Sequence, residues 1–411
     1  MTGTNAADLV NPAIAQLGAH PFPRVAALLE GIEPPPGETI DLTIGEPRVP
    51  PPDWLPARLA EHGASLGSYP RNEGTADFRA AAADWLGRRF RLDPPIAPEA
   101  VMPSSGAREV LFQLGLLAAR DRGRLALMPT PHYAPYRAAA LLTGLEPVFL
   151  PSTERTGHLP DLDEVERRGD EVALLTVCAP SNPEGAVADR RYLARAVALA
   201  RRHGFILAVD ECYSEIYRAE APYGVLRVCA DLARDRAGSG GDPYSHVLAI
   251  NSLSKRSSAP GLRVGFAAGD RGLVRGLIGL RAYAAGTVGC PNMAAAADLL
   301  RDEDHVERIR DSYRALFDAA DEILGGLPGH RSPQAGMFLW PMVDDDEATA
   351  VECWERAGLR VMPGRYLGPE AYDGFQPGQG HVRIAMVHDL ATTRRALERL
   401  APILLKRGVA A

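Results

Sequence analysis

The chain has 411 residues, 46% of them hydrophobic and 24% charged, which is the composition of a globular protein long enough for two lobes. Its net charge of −7 argues against a nucleic-acid partner, and five scattered cysteines without a C-x-x-C pair argue against a disulfide framework or a zinc site and indicate a reducing cytoplasm. Since no apolar run approaches membrane-spanning length and the N-terminus lacks a basic-then-apolar pattern, we expect a soluble cytoplasmic protein with no membrane partner and no metal.

The first 38 residues are rich in proline and turn-forming residues, and only Arg24–Glu30 is predicted to be helical. After them, short apolar runs alternate with amphipathic stretches of helical period. Because the runs are apolar at nearly every position, they indicate strands buried on both faces, as in a parallel sheet covered by helices. The predicted strands are Leu125–Met128, Pro147–Leu150, Val172–Cys178, Phe205–Val209 and Val247–Ile250, and the predicted helices include Ala107–Arg120, Ala134–Thr143 and Asp189–His203.

This alternation predicts an α/β fold with a mostly parallel sheet. The glycine-rich segment Asp235–Ser245 is predicted to be a loop between a helix and a strand. The C-terminal part of the chain has the pattern of a smaller α+β lobe. Its predicted elements are a helical region over Pro291–Leu324, strands over Met337–Val343, Leu359–Met362 and Val382–Val387, and a final helix over Ala391–Lys406.

Lys255 follows the predicted strand Val247–Ile250 and lies in a segment rich in hydroxyl groups. An isolated lysine in such a loop would be interpreted as solvated. Here Ser252, Ser254 and Arg263 supply hydroxyls and a guanidinium suited to a phosphate. Nearby cations lower the pKa of a lysine, and a neutral amine is what imine formation with a carbonyl requires. Lys255 is therefore the candidate nucleophile.

Asp210 ends the predicted strand Phe205–Val209, and Tyr213 follows three residues later. A carboxylate at the tip of a buried strand often only caps a loop. It can also form an ion pair that keeps the ring nitrogen of a bound ligand protonated. Tyr213 would then be able to hydrogen-bond an oxygen of the same ligand.

Three further segments follow predicted strands or begin predicted helices. Gly106, Ala107 and Arg108 open a helix, and helix N-termini bind phosphate through free N–H groups, although an ordinary serine N-cap accounts for this sequence equally well. Tyr133 begins another helix and either packs in the core or stacks on an aromatic ligand. Asn182 lies in an Asn-Pro-Glu-Gly segment that is also the sequence of a simple turn.

Arg383 lies inside the predicted strand Val382–Val387, which is an unusual place for a charge. Apolar neighbours on both sides indicate burial, so the guanidinium requires an anionic partner. That partner is either a structural carboxylate or the carboxylate of a substrate.

Together these groups are the ones that pyridoxal 5'-phosphate (PLP) chemistry requires of a protein: an amine, a carboxylate for the pyridinium, phosphate donors, a stacking ring, a partner for the phenolic oxygen and a cation for the substrate. Their order resembles that of the fold-type I class I and II aminotransferases. Ser-x-Ser-Lys with Pro-Gly-x-Arg downstream is highly specific for that family. The resemblance covers nearly the whole chain and rests on Gly45, Tyr69, Gly106, Ala107, Arg108, Tyr133, Asn182, Asp210, Tyr213, Ser252, Lys255, Arg263 and Arg383.

The resemblance implies an aspartate-aminotransferase-like PLP-transferase fold of the α/β class. A large PLP-binding domain with a mostly parallel, seven-stranded type of sheet is expected over residues 45–288, and a smaller α+β domain over residues 1–44 and 289–411. Lys255, Asp210 and Tyr213 are the catalytic residues it implies, and Gly45, Asn182 and Arg383 bind substrate. The implied cofactor-binding residues are Gly106, Ala107, Arg108, Tyr133, Asn182, Asp210, Tyr213, Ser252, Ser254, Lys255 and Arg263, with Tyr69 contacting the phosphate of the neighbouring subunit in a homodimer.

Three separated segments resemble more closely the bacterial succinyldiaminopimelate aminotransferases of lysine biosynthesis. The implied reaction transfers an amino group from N-succinyl-L,L-diaminopimelate to 2-oxoglutarate. Because this donor has a long, doubly anionic side arm, we expect a second cation besides Arg383, with Arg48 as the leading candidate ahead of Arg281 and Arg24. The three segments are Ile44–Arg48, Asp210–Tyr217 and Ser252–Arg263.

Two alternatives stay open at this point. Another enzyme of the same fold, such as an aspartate or other amino-acid aminotransferase or a PLP-dependent C–S lyase, shares nearly all of these residues. A non-enzymatic effector domain of a transcription regulator would need a DNA-binding domain, and residues 1–40 are too short and not basic enough for a helix-turn-helix.

Overall fold

The computed structural model describes residues 9–118, 121, 123–235, 241–284 and 286–409, and strands alternate with helices through much of this length. The strands are β1 (Ile40–Asp41), β2 (Val101–Ser104), β3 (Leu125–Thr130), β4 (Glu146–Pro151), β5 (Val172–Cys178), β6 (Ile206–Asp210), β7 (Val247–Ser252), β8 (Gly265–Gly269), β9 (Phe338–Leu339), β10 (Leu359–Arg360), β11 (Met362–Pro363) and β12 (Val382–Ala385). The helices are α1 (Pro12–Ala15), α2 (Pro21–Leu28), α3 (Leu55–Glu61), α4 (Ala76–Phe90), α5 (Ala107–Leu117), α6 (Ala134–Thr143), α7 (Leu162–Arg168), α8 (Arg190–His203), α9 (Val225–Asp235), α10 (Leu253–Arg256), α11 (Arg271–Ala284), α12 (Cys290–Arg301), α13 (Asp304–Leu324), α14 (Asp346–Ala357) and α15 (Leu390–Arg407).

Seven strands form one sheet in the order β2-β8-β7-β6-β5-β3-β4. Strands β7, β6, β5, β3 and β4 pair in parallel, whereas β8 is antiparallel to both of its neighbours. The predicted α/β fold with a mostly parallel sheet is therefore confirmed. The five predicted strands are β3 to β7, because a strand covered by helices on both faces must be apolar at nearly every position.

The sequence pattern missed β2 and β8. Strand β2 has only four residues, one of which is Pro103, and β8 consists of glycine, alanine and one phenylalanine. Neither has the run of branched side chains that identifies a strand from its sequence. Both lie at one side of the sheet, where the antiparallel β8 separates β2 from β7.

Several predicted boundaries change. The helical region over Pro291–Leu324 is two helices, α12 and α13, because Asp302 has an extended backbone and its carboxylate accepts a hydrogen bond from the backbone N–H of Asp304. The strand predicted over Met337–Val343 is reduced to β9, and that over Leu359–Met362 divides into β10 and β11. Of the predicted loop over Asp235–Ser245, residues 236–240 lie outside the described residues, as do residues 119 and 120 at the end of the helix predicted to run to Arg120.

The large sheet is buried on both faces. Alternate residues of one strand point into different cores: Leu127 packs with α4, α8, α9 and α12, whereas Met128 packs with α5, α6 and α11. This arrangement leaves the carboxyl ends of β5, β6 and β7 side by side at one edge of the sheet.

A separate core lies among β9, β11 and β12, which form an antiparallel sheet, and helices α13, α14 and α15. The N-terminal segment joins this core through Ile40 and Leu42, since β1 pairs with β10. This supports a second lobe, and the expected domain boundaries stay a prediction. None of the helices in the described ranges has the length and apolar content needed to cross a membrane.

Candidate active site

The predicted nucleophile and the predicted carboxylate follow neighbouring strands. Asp210 is the last residue of β6, and Lys255 lies in the short helix α10, directly after β7. Asn182 lies in the loop after β5. Because the three strands are parallel and adjacent, their carboxyl ends bring these residues to one edge of the sheet, where open α/β sheets bind ligands.

Lys255 is partly buried, and its Nζ donates a hydrogen bond of 2.5 Å to the carbonyl of Gly45. The pKa of Lys255 is lowered to about 8, mainly by burial; the positive charges of Arg383 and Arg263 contribute, and Cys212 and Glu46 oppose the shift. The sequence interpretation attributed this effect to nearby cations, whereas burial is the larger cause. A substantial fraction of the amine is therefore neutral at mildly alkaline pH, as nucleophilic attack requires.

Asp210 is buried and is held by two donors. The hydroxyl of Tyr136 donates to Oδ2 at 2.7 Å, and the backbone N–H of Cys212 donates to Oδ1 at 3.1 Å. Burial raises the pKa of Asp210, and the hydrogen bonds from Cys212 and Tyr136 oppose that effect. A buried carboxylate oriented in this way suits a cationic partner such as a protonated ring nitrogen.

Tyr136 was missed as a site residue from the sequence. The spacing of the tyrosines could have indicated this role, because Tyr136 lies three residues after Tyr133 and therefore near the same face of α6. The two rings pack edge to face with their centres 5.9 Å apart. Tyr213, which the sequence does predict as a site residue, is buried, and burial raises the pKa of its hydroxyl well above the ordinary value.

A group of donors surrounds the N-terminus of α5. Gly106 precedes this helix with a φ of +76°, and a Cβ added there would lie 2.5 Å from Nη2 of Arg263. The same Nη2 donates to the carbonyl of Ser105 at 3.1 Å. The hydroxyl of Ser252 lies 3.0 Å from that of Ser254. Helix N–H groups, hydroxyls and a guanidinium are the donors that hold a phosphate.

Arg108 and Tyr69, which are predicted to contact the cofactor, are both exposed in the single chain. The exposed Arg108 donates from Nε to the hydroxyl of Tyr133 at 2.9 Å. The side chain of Tyr69 is fully exposed, and its role across a dimer interface stays a prediction.

Arg383 lies in β12 and is 7% exposed. It donates from Nη2 to the carbonyl of Thr43 at 2.8 Å and from Nη1 to Oδ1 of Asn182 at 3.4 Å. Within the described residues, its Nε has no hydrogen-bond partner and no carboxylate pairs with its guanidinium. Burial lowers the pKa of Arg383 to about 10, so the side chain remains charged at neutral pH. This is a buried cation that still requires an anion.

Gly45 packs tightly against the small lobe, because a Cβ at this position would lie 2.4 Å from the ring of Phe338. Three residues later, the exposed Arg48 lies with Nη1 3.0 Å from Nδ1 of His388. Nε2 of the same histidine lies 2.9 Å from the carbonyl of Asp41 and must donate to it, so Nδ1 accepts from Arg48. Arg48 therefore donates to a neutral ring nitrogen and has no carboxylate partner among the residues described.

The two weaker candidates for the second cation are engaged elsewhere. Arg281 is buried and forms an ion pair with Glu109 at 3.1 Å. The guanidinium of Arg24 lies 3.7 Å above the ring centre of Tyr366. Arg48 is the better candidate of the three.

The residues present fit PLP as a cofactor. Asp210 provides the buried carboxylate for a pyridinium, and Lys255 provides the amine for an aldehyde carbon. Gly106 leaves the space beside Arg263 that any larger residue would fill, which suits a phosphate at this position.

Comparisons with known proteins agree with this geometry. The family model "Aminotransferase class I and II" matches residues 37–400. An LL-diaminopimelate aminotransferase from Syntrophobacter fumaroxidans is 31% identical over 88% of this chain and 90% of its own length, and a 4-dedimethylamino-4-oxo-anhydrotetracycline transaminase from Streptomyces rimosus is 33% identical over 85% and 89%. The crystal structure of an aminotransferase from Neisseria meningitidis superposes with a TM-score of 0.89 at 34% identity, covering 96% of this chain and all of that one.

Proposed function

Because this chain belongs to the class I and II aminotransferase family, whose members depend on PLP, it is an aminotransferase, and we propose that it moves an amino group from N-succinyl-L,L-diaminopimelate to 2-oxoglutarate. The proposal concerns the two substrates and the roles of the individual residues.

The buried Arg383 is the observation that carries the assignment of the substrate site. Arg383 is 7% exposed. Its guanidinium donates a hydrogen bond to Asn182 and has no carboxylate partner among the described residues. A structural salt bridge would have provided that partner. The α-carboxylate of an amino acid or a 2-oxo acid supplies the missing charge in a bidentate geometry that arginine favours.

Each proposed role follows from the position of the residue. PLP, when bound, supplies an electron sink for negative charge at the donor carbon. Asp210 keeps a negative charge at the strand end, and Tyr136 orients it. Arg383 and Asn182 fix the substrate carboxylate, which sets the orientation of the bond from Cα to hydrogen. The Nζ of Lys255 takes the proton from Cα as a base and then, as an acid, gives it to the cofactor carbon that receives the amino group.

The charge near the Gly45 turn supports the choice of donor. Arg48, three residues after Gly45, is exposed and forms no ion pair with a carboxylate in the described part of the chain. The succinylated donor ends in two carboxylates, whereas unmodified diaminopimelate ends in one carboxylate and one ammonium. An unpaired guanidinium therefore favours the succinylated arm, and one such charged contact contributes about 1.5–3 kcal/mol.

Unmodified L,L-diaminopimelate is the second candidate donor. It is favoured by the names of several relatives that are 30–31% identical and match 88–94% of this chain. Its transamination is a different reaction, and the ammonium on its side arm would lie near the positive charge of Arg48.

A donor comparison tests the proposal. We expect kcat/KM with 2-oxoglutarate to be higher for the succinylated donor than for L,L-diaminopimelate, aspartate or glutamate. The variant Arg48→Gln should lower kcat/KM for the succinylated donor by about tenfold or more and should leave that for aspartate nearly unchanged. Wild-type activity with aspartate that equals or exceeds that with the succinylated donor would contradict the substrate assignment and leave the aminotransferase activity standing.

A further inference from the structure

Asn182 lies on a turn, residues 181–187, that is joined to the segment of residues 331–335. The backbone N–H of Ala335 donates to the carbonyl of Gly185 at 3.2 Å, and the N–H of Val187 donates to Oε1 of Gln334 at 3.2 Å. The third contact comes from a side chain: Nη2 of Arg331 donates to the carbonyl of Glu184 at 2.5 Å.

This contact connects the two halves of the proposed carboxylate site. One half is Asn182, on the turn itself. The other half is Arg383, whose guanidinium lies 4.5 Å from the ring centre of Phe338. Phe338 begins β9, only three residues after residues 331–335. The position of the turn relative to that segment therefore sets the distance between Asn182 and Arg383.

The turn has little freedom of its own. Gly185 has a φ of +68°, and a Cβ added there would lie 2.5 Å from the carbonyl oxygen of Ala335. Within the turn, the N–H of Gly185 donates to the carbonyl of Ser181 at 3.0 Å. The turn therefore has a fixed internal shape, and its contacts with residues 331–335 help to fix the position of Asn182.

Removing part of the charged Arg331 side chain from water in order to bind one carbonyl costs free energy. Arg331 is half-buried, and burial lowers the pKa of its guanidinium, while the nearby carboxylates of Glu184 and Glu154 oppose that shift. Among the described residues, no carboxylate oxygen forms a direct ion pair with it. The side chain of Glu184 is only 2% exposed, and its Oε1 has no partner in the same set of residues. A role in stability alone would be expected to place the carboxyl group of Glu184 directly against the guanidinium of Arg331.

We propose that Arg331 is a positioning residue for the substrate carboxylate: it holds the carbonyl of Glu184 and so presents Asn182 to Arg383. This rests on the proposed role of Asn182 and Arg383 in binding that carboxylate. Arg331 acts through the turn and does not itself contact the substrate.

The test compares Arg331→Met and Arg331→Lys with a matched control, Arg201→Met. Arg201 is half-buried like Arg331, and its Nη2 also donates to a backbone carbonyl at 2.5 Å, that of Pro243. The holoenzyme is titrated with α-methyl-L-glutamate, which carries the α-carboxylate but lacks the α-hydrogen, and binding is followed by the absorbance of the cofactor. The KM for 2-oxoglutarate and kcat are measured in parallel.

We expect Arg331→Met to raise both the Kd of the analogue and the KM for 2-oxoglutarate about tenfold, with kcat changed less than about threefold. Arg331→Lys keeps a donor and should retain most of the affinity, and Arg201→Met should behave as the wild type. A wild-type Kd in Arg331→Met, or an equal increase in Arg201→Met, would overturn the inference.

Two further variants distinguish a failure of the inference about Arg331 from a failure of the proposed carboxylate site. Gln334→Ala, at an exposed position, removes the bond to Val187 and should raise the Kd about twofold to threefold. If Arg331→Met does not fold, Gln334→Ala serves as the test in its place. An unchanged Kd in Gln334→Ala then counts against the inference. Asn182→Ala tests the underlying site: if it binds the analogue normally, the proposed carboxylate site is wrong, whatever Arg331 does.

Discussion

The hydroxyl of Tyr136 donates a hydrogen bond of 2.7 Å to Oδ2 of Asp210, so a residue of the helix after β3 orients the carboxylate at the end of β6. Both groups are buried, and the hydroxyl stabilises the ionised form of an acid whose pKa is raised by burial. The arrangement of the site therefore depends on a residue that carries no charge itself.

Replacing Asp210 should be more harmful than replacing the tyrosine that orients it. We expect Asp210→Ala to bind PLP but to lose at least about 100-fold in kcat, because one partner of a buried ion pair would be missing. Tyr136→Phe should lose about tenfold, the value of one hydrogen bond to a charged group. In the double variant, the phenylalanine should add little to the alanine, as measured by a double-mutant cycle. A deficit of tenfold or less in Asp210→Ala would show that its role is structural.

Lys255→Ala should abolish turnover, measured quantitatively against free PLP so that uncatalysed transamination is subtracted. Since burial lowers the pKa of Lys255 to about 8, the neutral amine increases as pH rises through that value. The rate of PLP incorporation into the apoenzyme should therefore rise between about pH 7 and pH 9, with its midpoint near 8. A rate that is independent of pH in this range would contradict the assignment of Lys255 as the reacting amine.

The enzyme should be a homodimer in which Tyr69 contacts the cofactor phosphate of the other subunit. In the single chain this side chain is fully exposed, although tyrosine normally hides much of its ring. Light scattering should give twice the mass of 44.1 kDa. Tyr69→Phe should raise the Kd for PLP several-fold, whereas the equally exposed Tyr283→Phe serves as a control. An active monomer would rule this arrangement out.

Glu184→Gln should stabilise the protein at alkaline pH. Burial raises the pKa of Glu184 to about 7 from 4.5. The folded state therefore holds the proton more tightly than the unfolded state, and the wild type loses stability as pH rises from about 4.5 to 7. At about 1.4 kcal/mol per unit, the full loss over this shift is about 3–4 kcal/mol. The thermal midpoint should fall less between pH 5 and pH 8 in the variant than in the wild type. Equal falls would show that Glu184 is ionised normally in the fold.

The elements that the sequence predicts correctly are those whose bounds are fixed by local constraints. Strand β5 and helix α6 have the predicted bounds because a buried strand must be apolar throughout and a helix ends where Gly144 adopts a left-handed conformation. Strands β2 and β8 were missed because their place in the sheet comes from pairing with distant residues and leaves little trace in their composition.

The sequence by itself determined the α/β class, the five parallel strands, and the residue types at the strand ends, where Asp210 and Lys255 lie. Only the tertiary structure decided that Arg383 has no carboxylate partner in the described part of the chain, that Tyr136 orients Asp210, and that Arg331 holds the turn of Asn182. The physical reason is that local pattern reflects burial and backbone period along one segment. These three contacts join residues that are 74 to 201 positions apart in the chain. Their distances depend on how the folded elements pack against one another.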